Sequence, residues 1–195
     1  MASAAAARRQ GLRRWAVSLA ATAVSAYALD AGATVAGVCL AASGLLGGLS
    51  PRWAVAFLVA SYAVWGIGLR AGIRANGALL AATGTSTNVL SKAAYDLTRR
   101  RTTSLRAARL AAAAGYAGME LVKEVPYYGG AFGAALISDS VTSNNALVFL
   151  GGANLGAAAY EFGLARLTGL VLRRRRALPP GRREGEVRAG CVRGG

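Results

Sequence analysis

This chain has no histidine, only two cysteines and few charged residues, and each shortage excludes a class of protein. Without histidine, the commonest metal ligand and general base is missing. The cysteines, Cys39 and Cys191, are too few for a disulfide framework or a thiolate metal site. Charged residues make up 16% of the chain and hydrophobic ones 54%, a balance that disfavours a water-soluble domain. We therefore expect no metal and no cofactor.

The basic residues are gathered into three patches that are separated by apolar segments. A net charge of +15 would suggest nucleic-acid binding in a soluble protein. Here the patches flank apolar runs, which favours a membrane over nucleic acid. Loops rich in Lys and Arg remain on one side of a membrane, so an even number of crossings should separate each patch from the next. The patches comprise Arg8, Arg9, Arg13 and Arg14; then Arg70, Arg74, Lys92, Arg99, Arg100, Arg101, Arg106 and Arg109; then Arg173, Arg174, Arg175, Arg176, Arg182, Arg183, Arg188 and Arg193.

The apolar segments predict an all-α membrane protein with four crossings, arranged as two helical hairpins. The crossings are expected at about 15–43, 53–72, 107–137 and 146–172, near or above the roughly 20 residues that span a bilayer. Turn residues at 44–51 and polar residues at 138–145 close the hairpins on the side away from the patches. A basic N-terminal tail (1–14) and a basic C-terminal tail (173–195) flank the transmembrane domain (15–172).

Three parts of this topology have alternatives. Residues 1–29 contain no acid and resemble a signal sequence or a transit peptide as much as a first anchor. The first segment is too long for one perpendicular crossing, so it is either a strongly tilted helix or a surface piece over 15–29 followed by a crossing from residue 31. Another register makes 127–150 one crossing and breaks the chain at Gly151-Gly152, but it would leave Asp139 in the lipid.

Between the hairpins, residues 75–104 are polar and basic and predict a cytoplasmic connector. Thr87 or Asn88 is a candidate N-cap for a short amphipathic helix, in which Lys92 lies four residues before Asp96. The Gly-Thr-Ser-Thr stretch before this helix has the composition of a phosphate cradle. The lysine and the spacing of a P-loop are absent, however, which favours an ordinary cap. The basic side as a whole should attract anionic lipid headgroups.

Five ionisable residues fall inside the predicted crossings and are the candidate functional residues. Charges at membrane depth are costly, so they usually face a bundle interior, a partner or a water path. Counted from the basic patches at about 1.5 Å per residue, three of them lie at a common depth of roughly 18 to 24 Å. These three are Asp30, Lys123 and Glu161, and the full set also includes Glu120 and Glu124. Their common depth predicts a site that binds a proton, a cation or a basic group of a substrate.

Local spacing gives two further expectations about these charges. Glu120, Lys123 and Glu124 share one helical face, so Lys123 can pair with Glu120 and one acid remains over. Glu161 has its nearest cation, Arg166, on another face of its helix, so it needs a partner from another helix or a proton. A simpler interpretation places Glu120 to Glu124, and Asp30, at the interface, where they would be solvated and ordinary.

Glycines spaced four residues apart predict close packing between helices. Gly152 and Gly156 form the pair on the last crossing, and Gly44 with Gly48 and Gly129 with Gly133 have the same spacing. In lipid, such small faces allow helix backbones to approach, either within one chain or between copies. We favour packing within the chain for any one pair.

The function that these patterns favour is that of a small transporter- or channel-like membrane unit for a proton, a cation or a small basic substrate. It is expected to be a homo-oligomer, because four thin helices enclose little volume. The alternative is a non-catalytic accessory or scaffold subunit of a larger membrane complex. An enzyme is disfavoured, since only carboxylate or lysine acid–base chemistry is within reach. The expected location is the plasma membrane, with cytoplasmic termini, or alternatively the mitochondrial inner membrane.

Overall fold

Five helices make up the part of the chain that the computed structural model describes, residues 2–137 and 143–177, and no strand occurs there. The all-helical class that the sequence predicts is confirmed. The helices are α1 (Ala2–Leu45), α2 (Pro51–Thr83), α3 (Val89–Arg101), α4 (Leu105–Ile137) and α5 (Ser143–Ala177).

Three helices in the described part are long and apolar enough to cross a membrane. The candidate spans are Tyr27–Leu45 in α1, Pro51–Thr83, which is the whole of α2, and Asn144–Arg174 in α5. Their outer surfaces carry large hydrophobic side chains, whereas Asp30, Asn154 and Glu161 are among the most deeply buried residues. Apolar side chains outside and polar side chains inside are consistent with a membrane protein.

α5 is the central helix, and its contacts give the direction of the others. It runs antiparallel to α1, because Gly152 faces Gly37 while Gly156 faces Ala33. It runs parallel to α2, where the facing pairs are Phe57 with Gly151, Ser61 with Asn154, and Gly72 with Glu161. It runs antiparallel to α4, where the hydrogen-bonded pairs are Tyr116 with Glu161 and Tyr128 with Asn154.

These directions place the start of α1 and α4 and the end of α2 and α5 at one end of the bundle. We call it the basic end, because it carries Arg13, Arg74, Arg109 and Arg174 on the four long helices. α3 lies at the same end, where the Trp15 indole N–H donates to Asp96 over 2.9 Å. The three basic patches of the sequence therefore meet at one end, as far as their residues are described.

The predicted arrangement as two hairpins is not confirmed, because within the described part of the chain α1 and α2 are not a packed pair, although α4 and α5 run antiparallel and are in contact. α5 has its most extensive contacts with α2 and α1, and α3 packs mainly against α4. Among the described residues, α1 and α2 have little direct contact with each other. The reason is that α5 carries small residues on two faces, with Gly152 and Gly156 toward α1 and Gly151 and Ala158 toward α2. Because small faces permit the closest backbone approach, α5 gains most by packing between them.

Several helix boundaries differ from the sequence expectations. α1 begins at Ala2 and continues through Asp30, so the basic residues of 1–14 are helical and the chain has no break near residue 30. α2 continues to Thr83 instead of ending near 72, and it ends where Gly84 adopts φ 69°. Its extra turns use the Ala- and Leu-rich segment 78–82, which is a good helix former.

In the second half of the chain, α5 is continuous through Gly151-Gly152, so the register with a break at that point is not adopted. The predicted loop 138–145 is only partly described. Residues 138–142, which include Asp139, and the tail beyond 177 lie outside the described residues, whereas Asn144 and Asn145 belong to α5.

Candidate intramembrane site

Asp30, Glu120 and Lys123 form one buried ion cluster between α1 and α4. Lys123 Nζ lies 2.5 Å from Asp30 Oδ2 and 2.7 Å from Glu120 Oε1. Asp30 is 1% exposed, and Glu120 and Lys123 are each 4% exposed. The interpretation of these three charges as solvated interfacial residues therefore does not hold. The spacing on α4 predicts the pair with Glu120, whereas the pair with Asp30 depends on how two helices pack.

Glu161 of α5 lies beside this cluster and has a different partner. Its Oε2 accepts a hydrogen bond of 2.8 Å from the hydroxyl of Tyr116 on α4. Its Oε1 has no hydrogen-bond partner among the described residues, and the side chain is 1% exposed. Within the same part of the chain, no cation forms an ion pair with it, because Lys123 is engaged by Asp30 and Glu120. Among the described residues, Glu161 is thus a buried carboxyl with one hydrogen-bond donor and no ion pair.

Gly72 of α2 provides the space that the Glu161 carboxyl occupies. A Cβ added at Gly72 would overlap Glu161 Oε2 and would lie 2.9 Å from the Tyr116 hydroxyl oxygen. One turn earlier on α2, a Cβ at Gly68 would lie 3.2 Å from Ala158 Cα. Because two glycines allow α2 to approach α5 this closely, the carboxyl is enclosed by α2, α4 and α5 together.

The cluster as a whole contains more acids than bases. Asp30, Glu120 and Glu161 are three carboxyls, and Lys123 is the one cation that touches any of them among the described residues. The Lys123 ammonium also lies 5.7 Å from the centre of the Tyr160 ring. With all four groups charged, two negative charges would remain uncompensated in a medium of low dielectric, which is costly. The arrangement therefore calls for protons or for additional cations.

Glu124 forms no ion pair with the cluster among the described residues, although it is near enough to interact electrostatically with Asp30 and Lys123. It is half-buried and lies beside the hydroxyl of Tyr128. Tyr128 donates to Asn154 Oδ1 over 3.1 Å, and Asn154 Nδ2 donates to Ser61 Oγ over 3.1 Å. Tyr128, Asn154 and Ser61 form the far-end network, which lies away from the basic end. The structure thus brings together Asp30, Glu120, Lys123 and Glu161, and leaves Glu124 outside.

A second set of polar side chains fastens loop 84–88 to the cluster from the basic end. Asn76 Nδ2 donates to Ser91 Oγ over 2.7 Å, and Ser86 Oγ donates to Asn76 Oδ1 over 2.6 Å. Asn88 Nδ2 then donates to Glu120 Oε1 over 3.3 Å. Asn76, Ser86, Asn88 and Ser91 are all buried, and we call them the loop network.

The Gly-Thr-Ser-Thr stretch is an ordinary helix cap in the structure. The backbone N–H groups of Thr87 and Asn88 donate to Asn76 Oδ1 over 3.2 Å and to Ser86 Oγ over 3.0 Å. The N–H of Ser91 donates to the side chain of Asn88, which is the N-cap of α3. Since these donors already have partners inside the chain, they are not available to hold a phosphate.

Sequence reasoning missed most of the neutral residues of the site. Tyr116, Tyr128 and Ser61 stand out in no sequence pattern, because tyrosine and serine are common in apolar helices. Asn154 carried a usable signal, because it is an amide within an apolar stretch and a buried amide must find hydrogen-bond partners, whereas Asn76 lies in a segment that the sequence marks as a polar connector.

Gly152 and Gly156 lie where α5 crosses α1. A Cβ at Gly152 would lie 2.7 Å from the carbonyl oxygen of Gly37, and one at Gly156 would overlap the carbonyl oxygen of Ala33. This small face is used within the chain. Gly44, Gly129 and Gly133, which have the same spacing, meet no atom of the described residues within 4 Å of an added Cβ.

Comparisons of this chain with family models, with curated proteins and with solved structures found no match. The class of protein is therefore described from the structure alone. In the described residues it is an all-helical protein with three candidate membrane spans and a buried cluster of ionisable residues.

Proposed function

We propose that this chain is an integral membrane protein that moves a proton or another small cation through its buried carboxyl cluster. The observation that carries the proposal is Glu161, a carboxyl enclosed by three helices with one hydrogen-bond donor and no ion pair among the described residues. An ionisable group held inside a membrane bundle at such a cost usually marks an ion path or a proton relay. The ion cluster beside it supplies fixed charges that change the energy of a passing cation.

The proposal includes α4 as a fourth crossing. Its charges keep it from being apolar along its whole length, but Glu120 and Lys123, in the middle of the helix, are buried. At the same level, the outward side chains Leu121, Val122 and Val125 are 63%, 58% and 73% exposed. In water this pattern would be reversed, since valine and leucine would be inside and glutamate and lysine outside. Lipid around α4 accounts for both halves of the pattern.

Four crossings place both termini on the side of the basic end. By the positive-inside rule we propose that this is the cytoplasmic side of a plasma membrane, or the matrix side if the protein is mitochondrial. α3 supports the proposal, because Leu90 and Leu97 are exposed on the same short helix as Arg99, Arg100 and Arg101. Such a helix suits a surface of anionic lipid headgroups, so vesicles of anionic lipid are the medium for the assays below.

The two cysteines test this topology directly. Cys39 is exposed on the surface of the α1 span, so lipid should shield it from a water-soluble maleimide until detergent is added. Cys191, in the basic C-terminal tail, should react in inverted vesicles and not in intact cells. Single-cysteine variants, Cys191→Ser and Cys39→Ser, separate the two signals. Labelling of Cys39 in intact cells would show that α1 is not in the bilayer.

The accessory-subunit alternative rests on buried charges that await a partner. Here Lys123 already forms ion pairs with Asp30 and Glu120 of the same chain. Its charge is therefore not available for an ion pair with another subunit. Glu161 is enclosed by helices of its own chain. Both observations favour a function inside the chain over a pairing between chains.

The functional test is ion flux through purified protein in vesicles that contain a dye sensitive to pH, to Na⁺ or to K⁺. An imposed membrane potential should drive proton or cation uptake by the wild type, and Glu161→Gln should reduce it to the rate of protein-free vesicles. The control is Glu184→Gln, which makes the same chemical change in the C-terminal tail.

Two results would contradict the proposal. Wild-type vesicles that pass protons, Na⁺ and K⁺ no faster than protein-free vesicles would remove it. A Glu161→Gln chain that is normal in flux but fails to co-purify with another membrane protein would support the accessory role.

A further inference from the structure

We infer that Glu161 holds a proton rather than a metal cation, and that this proton exchanges with water at the basic end through the loop network. The inference rests on the proposed function and narrows it to one ion and one side of access.

The described residues around Glu161 do not make up the oxygen shell of a metal cation. Hard cations bind about six or more oxygens, whereas among the described residues the one side-chain oxygen hydrogen-bonded to the Glu161 carboxyl is that of Tyr116. On the α2 side the carboxyl abuts the backbone at Gly72, and near Gly68 the α2 backbone meets Ala158 of α5. A proton needs no such shell. It binds the free oxygen, Oε1, while Oε2 continues to accept from the Tyr116 hydroxyl.

Polar side chains lead from Glu161 toward the basic end. Tyr116 and Glu120 lie four residues apart on α4, which places them on one helical face. Glu120 accepts from Asn88, and Asn88 donates its backbone N–H to Ser86. Ser86 belongs to loop 84–88, whose neighbouring residue Thr85 is exposed at the surface. Hydroxyl, amide and carboxyl groups therefore lie between the surface and Glu161, with hydrogen bonds from Asn88 to Ser86 and to Glu120, and from Tyr116 to Glu161.

In the opposite direction along α5, most residues between Glu161 and Asn154 are apolar. Ala157 and Ala158, which are 5% and 1% exposed, lie between Glu161 and Asn154 of the far-end network. Methyl groups neither donate nor accept a proton, so along α5 they separate the two sets of polar residues. We therefore assign the exchange of the proton to the basic end, toward which the hydrogen-bonded polar side chains lead.

Infrared spectroscopy of the reconstituted full-length protein tests both parts of the inference. The wild type should show the carbonyl band of a protonated carboxyl at neutral pH, and Glu161→Gln should lack it. On transfer to heavy water the band should shift as the proton is replaced. Asn88→Ser should slow that shift several-fold without changing the size of the band, because serine keeps the N-cap of α3 but loses the amide that reaches Glu120.

Two controls distinguish an interrupted proton route from a change in the stability of the fold. Thr85→Ala, in the same loop but outside the loop network, should exchange at the wild-type rate. A variant that merely loosened the structure would exchange faster than wild type, which is the opposite of the expected change. Ser86→Ala provides a second interruption of the route if Asn88→Ser does not fold, and it should likewise slow the exchange.

The outcomes distinguish this inference from the function that it rests on. Absence of the Glu161 acid band, or its loss on adding Na⁺, would overturn the proton assignment, yet Glu161-dependent Na⁺ flux would leave the proposed function standing. An acid band whose exchange is unchanged in both Asn88→Ser and Ser86→Ala would overturn the route. Vesicles without any ion flux would instead remove the proposed function, whatever the infrared band shows.

Discussion

Lys123→Met is expected to destabilise the protein by about 3–5 kcal/mol, the cost of breaking a buried salt bridge by removing one partner. Methionine fills a similar volume but leaves Asp30 and Glu120 without the ammonium that each now contacts. Two adjacent carboxylates buried between α1 and α4 would then repel each other in a medium that screens them poorly. The measurement is the free energy of unfolding by denaturant titration in detergent micelles.

A matched series shows whether charge or shape causes the loss. The triple variant Asp30→Asn, Lys123→Met, Glu120→Gln has no charge in the ion cluster, so it should regain most of the stability. Arg166→Met removes a cation from an exposed position of α5 and should change stability by less than about 1 kcal/mol. If Lys123→Met unfolds like the wild type, water reaches the cluster and its charges are screened.

Lys123 also illustrates how much of the site could be predicted from sequence. The rise of a helix is fixed, and the basic patches mark its ends, so the depth of each charge can be counted. Asp30, Lys123 and Glu161 have similar predicted depths, and the structure brings all three into one region. The pairing on α4 follows from local spacing in the same way. Depth in the membrane and pairing within one helix can thus be predicted from sequence, because both follow from the number of residues between two positions.

The neighbours of each helix could not be predicted in this way. In lipid, an apolar face gains little from turning inward, so hydrophobic periodicity does not show which faces meet. The choice of α5 as the central helix depends on small residues that match across three helices, such as Gly37 with Gly152 and Gly68 with Ala158. Such matches are visible only when both partners and their registers are known.

The loop network shows the same limit at the scale of single side chains. Asn88 was a predicted cap, and its backbone-facing oxygen does cap α3. Its amide group, however, donates a hydrogen bond to Glu120 on α4. This contact requires α3 to pack closely against α4 at Gly115. A Cβ added at Gly115 would lie 2.7 Å from the Leu90 carbonyl oxygen. A helix cap is a local property, whereas the second use of the same side chain is a property of the fold.

Gly156→Ala is expected to lower the free energy of unfolding by about 1–3 kcal/mol or more, the usual range for forcing extra atoms into a packed interior. An alanine Cβ there would overlap the carbonyl oxygen of Ala33 and would lie 2.7 Å from Thr34 Cα. Both are backbone atoms, so no side chain can rotate away and α1 must move off α5. Denaturant titration in micelles measures the loss.

Gly163→Ala is the matched control, because the same change on the same helix meets no atom of the described residues within 4 Å. There the gain in helix propensity, up to about 1 kcal/mol, should make the protein equally or more stable. The displacement of α1 has a second consequence, since α1 carries Asp30. Gly156→Ala should therefore weaken the ion pair of Asp30 with Lys123 and reduce ion flux, while Gly163→Ala should leave flux unchanged. Equal stability of the two variants would mean that α1 and α5 do not cross at Gly156.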